Sequence, residues 1–252
     1  MVKIFLSGCN GRMGQVIISC VAARDDCEIV GGADIFNEQK NEFPVYSDIK
    51  EFDGECDVII DFSNPAALGG LLEFCLDKKV PAVLATTGYS EEQKQQISEA
   101  SKTVPIFYTA NMSIGVNLIA ELCKRAATVL EDDFDIEIVE AHHNQKLDAP
   151  SGTANMLADA VMEGCNNKKE LVYDRHERRK KREKDEIGMH AIRGGTIVGE
   201  HSVIFAGRDE VITVSHSARS REIFAVGALN AALFMVGKPS GIYNMGDLIG
   251  KC

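Results

Sequence analysis

The 252-residue chain is 45% hydrophobic and 26% charged, an ordinary globular balance that excludes disordered and fibrous classes. A formal net charge of -11 and a pI of about 5.1 argue against nucleic-acid binding, which rests on neutralising phosphates. The chain opens directly on an apolar strand and holds no apolar run of about 18 residues, so a cytoplasmic location is expected, with neither secretory leader nor membrane span.

The first predicted strand is VKIFL at 2–6, and a helical pattern follows over 12–24 with Met13, Val16, Ile17 and Val21 on one face. Between them Gly8, Gly11 and Gly14 stand at three-residue intervals. Glycine inside an element costs about 1 kcal/mol against alanine, so three of them need a reason. In a strand–turn–helix unit the first glycine allows the tight turn and the middle one lets a pyrophosphate approach the backbone. The last lets the helix pack on the strand. Unpaired N–H groups and the helix dipole then favour an anion. The next strand, EIVGGAD, ends on Asp34, twenty residues past Gly14, where a carboxylate can grip a ribose 2′-hydroxyl. A glycine-rich turn with no ligand is the alternative.

Strand CDVIIDF follows, then a helix SNPAALGGLLEFCLDK with Pro65 as its first residue, and strand VPAVLATTG. A capping box from Ser90 to Gln93 opens the next helix, before strand VPIFYTAN. Strands alternating with helices predict a doubly wound parallel sheet with helices on both faces, an α/β fold.

Past 112 the pattern changes. A long helix is predicted over 113–130, followed by the alternating strand FDIEIVEAHH. IGMHAIRGG, TIVGEHSVIFAG and DEVITVSHSA read as neighbouring strands, the last two joined through Gly207, Arg208 and Asp209. These predict a second, α+β domain with a mixed or antiparallel, largely open sheet. Its own helices are too few to cover both faces, so subunits packed sheet to sheet are expected. The charge run at 175–186 reads as a solvated loop, and SREIFAVGALNAALFMVG as a final helix. Of the eight cysteines none forms a C-x-x-C pair and most sit in apolar runs, so they read as buried thiols with no metal site.

The segment EAHHNQKLDAPSGTA at 140–154 carries the second chemical signal. Two adjacent histidines with a lysine close by repel one another unless an anion joins them, and a dianionic ligand would relieve that strain. The amides around Gly152 and Thr153, at a predicted helix start, suit a carboxylate. Zinc at His142 and His143 is not expected, since adjacent strand residues point to opposite faces. On these residues alone a nicotinamide-dependent amino-acid dehydrogenase and a non-catalytic nucleotide-binding redox sensor both stay open.

The motifs GCNGRMG, DFSNP, ATTGYS, TANMSIGVN, EAHHNQKLDAPSGTA, RGGTIVGEH and SHSARSREIFAVGALNAA occur in this order. Together they resemble the dihydrodipicolinate reductase family (4-hydroxy-tetrahydrodipicolinate reductases) of diaminopimelate and lysine biosynthesis, over nearly the whole chain. The resemblance implies a Rossmann domain at 1–112 completed by 220–252, and a substrate-binding and oligomerisation domain at 113–219, assembled as a homotetramer. It implies that NAD(P)H touches Gly8, Cys9, Asn10, Gly11, Arg12 and Met13, then Asp34. Further nucleotide contacts implied are Ala85, Thr86 and Thr87, and Thr109, Ala110, Asn111 and Met112. His142 matches the family's proton donor and Lys146 its partner; His143, Gly152 and Thr153 match contacts to a small dicarboxylate substrate. Ala85 stands where the family usually has glycine, and Gln145 where some relatives carry a further histidine. The reaction implied is hydride transfer from nicotinamide C4 to a conjugated cyclic imine, followed by protonation of the resulting enamine.

Cofactor choice is read from GGADIFNEQK. Asp34 can accept bonds from both ribose hydroxyls of NADH, whereas a 2′-phosphate would meet it as a like charge. Ile35 and Phe36 follow it, and Lys40 is the nearest cation in sequence. NADH is therefore expected to be preferred, with NADPH also accepted.

Overall fold

Strand β1 (Val2–Ser7) shows how one short run builds two cores: Ile4 and Leu6 are buried on one face of the sheet and Phe5 on the other. The computed structural model describes residues 1–36, 41–166, 168–176 and 179–250. Lys40 and Cys252 lie outside the described residues. The chain divides into two compact units, Met1–Ile114 with Arg221–Cys252, and Gly115–Ser220.

In the first unit β1 leads to α1 (Arg12–Ala22), β2 (Cys27–Ala33), a short β3 (Val45–Tyr46) and β4 (Val58–Asp61). Pro65 does open a helical turn, but a 3-10 one over Pro65–Ala67, with the Asn64 side chain capping it from outside; α2 (Leu68–Lys78) continues from there. Then come β5 (Ala82–Leu84), α3 (Glu91–Ala100) and β6 (Pro105–Tyr108). Helix α3 starts with the full capping box: Ser90 accepts from the Gln93 amide, and the Gln93 side chain returns to the Ser90 amide.

The second unit holds α4 (Ile114–Leu130, from its second residue), β7 (Asp135–His142), α5 (Gly152–Gly164), β8 (Glu170–Val172), β9 (Glu186–Arg193), β10 (Gly199–Ala206) and β11 (Val211–Ala218). The chain then returns to the first unit with α6 (Glu222–Met235), β12 (Gly241–Tyr243) and α7 (Met245–Ile249).

The seven-stranded sheet runs β12-β6-β5-β4-β1-β2-β3, parallel throughout. On one face Ile4, Leu6, Val58, Ile60, Val83 and Phe107 pack against Ile17 of α1 and the alanine-rich α6. On the other, Phe5, Ile59 and Ile106 meet Leu68, Leu71 and Leu72 of α2 and Ile97 of α3. The chain order reverses at β1, so the loops after β1 and β4 flank a crevice at the carboxyl ends of the strands.

The second unit's sheet, β11-β10-β7-β9-β8, is mixed: β10 is antiparallel to both β11 and β7, while β9 is parallel to β7 and β8. Ile136, Ile138, Ile187, Val203 and Phe205 pack under α4 and α5. The opposite face, with Val139, Ser202, Ile204, Thr213 and Ser215, keeps half-buried and exposed side chains. No helix among the described residues is long and apolar enough to cross a membrane.

The charged segment 175–186 leads into β9 as a loop whose described residues are mostly exposed, as expected, but two arginines anchor it to the sheet. Arg175 and Arg182 reach back to Glu137 on β7, at 3.0 and 3.1 Å, and Arg182 also holds Asp135 at 2.7 Å. Glu186 lies inside β9, is 1% exposed and pairs with Arg175. The cause is on the sheet: Glu137 is half-buried there and needs cations, which the loop supplies. Strand β8, absent from the sequence reading, pairs with β9 just before this segment.

Candidate active site

The glycine loop is built by backbone contacts. Gly8 has φ +78°, and a Cβ there would lie 2.6 Å from Phe62 O at the end of β4. A Cβ on Gly14 would lie 2.3 Å from Gly8 O and 2.5 Å from Cys9 O, so only glycine lets α1 rest on the loop. Gly11 is the N-cap of α1 and offers no side chain to its first amides, those of Arg12 and Met13. The curve a Cβ would fill and the uncapped helix start fit a pyrophosphate.

Asp34 follows β2 and stands beside this loop. Its Oδ2 accepts from the Asn10 amide at 2.9 Å and its Oδ1 from the Phe36 amide at 2.9 Å. The Asn10 side chain in turn donates to Phe36 O and accepts from Asn41 at 2.8 Å. Ile35 and Phe36 are 80% and 74% exposed. Burial, with Asp34's charge second, pushes the Cys9 thiol up to about 11, so it is a neutral space-filler.

The other nucleotide candidates sit past the ends of β5 and β6. Ala85 donates its amide to Asp61 O, Thr86 is buried, and Thr87 is exposed. Asp61, which sequence reading missed, is 1% exposed and accepts from Ser63 Oγ at 2.5 Å, Thr86 Oγ1 at 2.7 Å and Tyr89 Oη at 3.2 Å. Burial first and Asp61's charge second hold the Tyr89 hydroxyl well above its ordinary range, so it remains a donor. After β6, Thr109 Oγ1 bonds Asn111 O at 3.4 Å, the Asn111 side chain accepts from Ser113 N, Ala110 is exposed, and Met112 is buried against α6.

In the second unit His142 ends β7, 8% exposed, with Nδ1 2.6 Å from Glu140 Oε2. His143 is half-buried and its buried Nδ1 has no hydrogen-bond partner among the described residues. Lys146 pairs with Asp148 at 2.9 Å in the exposed loop that follows, and its amide bonds His143 O. Gly152 and Thr153 form the first turn of α5, which Ser151 caps by accepting from Ala154 N at 3.1 Å. His142, His143, Lys146 and the start of α5 are thus joined by one loop of eight residues, 143–150, between β7 and Ser151. No group of histidine, cysteine and carboxylate side chains able to hold a metal occurs among the described residues.

Three polar residues here, two buried and one half-buried, escaped sequence reading. Glu140 was visible in principle: two places before His142 on a strand puts it on the same face. Arg193 and His201 were not, because only the β9-β7-β10 order brings them in. Arg193 grips Glu140 with both terminal nitrogens. His201 stacks edge-on to His142 with ring centroids 5.1 Å apart and its Nε2 is 3.0 Å from Ser151 Oγ. Burial, with His142 second, pushes His201 down to about 4, so it is neutral at pH 7.

Comparison with known proteins agrees across both units. Residues 2–112 match the model of the dihydrodipicolinate reductase N-terminus and 115–249 that of the C-terminus. A 4-hydroxy-tetrahydrodipicolinate reductase of Clostridium tetani is 54% identical over 251 residues, covering 100% of this chain and 98% of the relative. One from Caldanaerobacter subterraneus is 53% identical, covering 100% and 99%. Among solved structures, a dipicolinate-bound dihydrodipicolinate reductase from Paenisporosarcina superposes with a TM-score of 0.83 at 25% identity, over 99% of each chain. With a family model on each half and such identity end to end, the chain belongs to the dihydrodipicolinate reductase family.

Proposed function

We propose that this chain is an NAD(P)H-dependent reductase of the cyclic imine formed from 4-hydroxy-tetrahydrodipicolinate, producing tetrahydrodipicolinate for diaminopimelate and lysine synthesis. The observation that carries the reading is His142 on its buried carboxylate partner, one loop away from the N-terminus of α5, in a chain matching reductases of that name along its whole length. A redox sensor would leave that buried pair without a task.

When bound, the nucleotide supplies a hydride from its nicotinamide C4. The loop Gly8–Met13 presents backbone amides to the pyrophosphate, and Asp34 takes the adenosine ribose hydroxyls. Ala85–Thr87 and Thr109–Met112 line the nicotinamide end. His143, Gly152 and Thr153 hold the substrate's carboxylates by charge and helix-start amides, with Lys146 opposite one of them. Hydride arrival at ring C4 pushes an electron pair through C=C–C=N to nitrogen. His142, with Lys146, then gives a proton to the carbon beside the former imine.

NADH is the preferred cofactor on this reading, since exposed Ile35 and Phe36 offer no cation beside Asp34. The uncovered face of the five-stranded sheet is the assembly surface of a homotetramer; light scattering that gave only the 27.5 kDa species at micromolar protein would refute that. The functional test is nucleotide oxidation with the pyruvate–aspartate-semialdehyde condensation product. Wild type should turn over, and His142→Gln should lose roughly 10²-fold or more in kcat with nucleotide Kd unchanged. Unchanged turnover in the variant would remove His142 from the mechanism.

A further inference from the structure

Glu140 is a more constrained group than the histidine it touches. Its carboxylate is 1% exposed and has four neighbours. Oε2 meets His142 Nδ1 at 2.6 Å and Arg193 Nη1 at 2.8 Å, while Oε1 accepts from Arg193 Nη2 at 2.7 Å and from the Ser151 amide at 3.1 Å. Across the β7–β9 ladder Arg193 is the register partner of His142 itself, so the guanidinium arrives where the pair needs it. Burial alone would raise the carboxyl, but the hydrogen bonds from Arg193 and His142 outweigh it and hold Glu140 below its ordinary range. It is therefore an acceptor only, and the imidazole nitrogen facing it must carry a hydrogen.

That leaves Nε2 as the nitrogen free to exchange a proton. A Cβ on Gly199 of β10 would stand 3.1 Å from this nitrogen, tighter than a side chain tolerates without displacement, so glycine keeps the approach open. The other titratable groups around the pair are His201 of β10, His216 of β11, and Lys146 and Asp148 of the loop. Neutral His201 adds no competing positive charge.

We propose that Glu140, clamped by Arg193, is a positioning residue for the proton-transfer step: it fixes His142 with Nδ1 protonated, so that Nε2 delivers the proton. The inference rests on the reading of His142 as proton donor. In the step, the Nε2–H bond breaks, the enamine electron pair forms the new C–H bond, and His142 is left neutral with Nδ1–H on Glu140. Solvent restores the proton at Nε2.

The test is a kinetic cycle of Glu140→Gln, His142→Gln and the double variant, with KM and nucleotide Kd measured alongside kcat. Glu140→Gln should lower kcat about 10- to 100-fold, the scale of a group that orients another. KM and nucleotide Kd should stay within about twofold, so that the loss falls on kcat. In the His142→Gln background the same change should cost less than about threefold. Equal losses in both backgrounds, or a loss carried by KM rather than kcat, would overturn the proposal and leave Glu140 a structural residue. Unchanged kcat in His142→Gln would overturn the proton-donor reading, and this inference with it. Should Glu140→Gln not fold, Glu140→Asp keeps the charge beside Arg193 but shortens its reach. It should still lose turnover, and wild-type kcat in it would overturn the proposal.

Discussion

The two chemical regions of this chain are built from different materials. The loop at Gly8–Met13 is built from backbone: its shape follows from φ +78° at Gly8 and from the missing side chain at Gly14, and what it offers an anion is amides. The region around His142 is a side-chain site, in which one buried carboxylate, Glu140, holds an arginine, a histidine and the amide before α5. A backbone site is specified by a few glycines close in sequence. A side-chain site of this kind needs residues from three strands, and fails if one charge is left alone.

Arg193→Ala tests the sharper half of that contrast. It leaves the buried carboxylate of Glu140 without its guanidinium, held only by His142 and the Ser151 amide, and urea unfolding should show a loss of about 3 kcal/mol, the scale of a broken buried pair. A loss under about 1 kcal/mol would mean that the site tolerates an orphan charge. Gly14→Ala probes the other half. Its Cβ would fall within 2.5 Å of two carbonyl oxygens, so the loop must move. About 2 kcal/mol of stability should go, as in overpacked cores, together with at least tenfold in nucleotide affinity by calorimetry.

Acidification should separate the two sites without mutation. His201 titrates near its ordinary 6.5 when unfolded and at about 4 when folded. Between those values the unfolded chain binds more protons, so stability is complete above pH 6.5 and drains as pH falls toward 4. From pH 7 to pH 5 the loss should be about 2 kcal/mol, and His201→Asn should lessen it. An unaltered slope in that variant would show that His201 is not the titrating group. Ser151→Ala gives the smallest effect, about 1 kcal/mol from the lost cap of α5, read by thermal unfolding.

The same contrast decided what could be read from the sequence. Alternation of VKIFL, EIVGGAD and CDVIIDF with helical patterns is local information, and it carried the parallel sheet; the spacing of Gly8, Gly11 and Gly14 with Asp34 carried the loop. His142, His143 and Lys146 were visible because like charges crowd there. Arg193 was not, since nothing within fifty residues links it to Glu140; the parallel pairing of β7 with β9 does. The anchors of the charged segment were hidden for a related reason. Composition says that Arg175 and Arg182 belong in water, and only the sheet reveals Glu137 waiting for them. Asp61 looked like the polar end of a strand until Thr86 and Tyr89 were seen to converge on it.

One contact in the glycine loop has consequences for anyone redesigning this protein. The Asn10 amide donates to Asp34, so on the proposed function the carboxylate that would take the ribose is also a tie-rod of the loop that would take the phosphates. Discrimination between nucleotides and overall grip on them are therefore a single mechanical variable. Exchanging Asp34 for a neutral residue to welcome a 2′-phosphate removes a repulsion and slackens the cradle at once. A selectivity switch made at this position alone should surrender affinity for both dinucleotides, and recovering it would require a second donor–acceptor pair to brace Asn10.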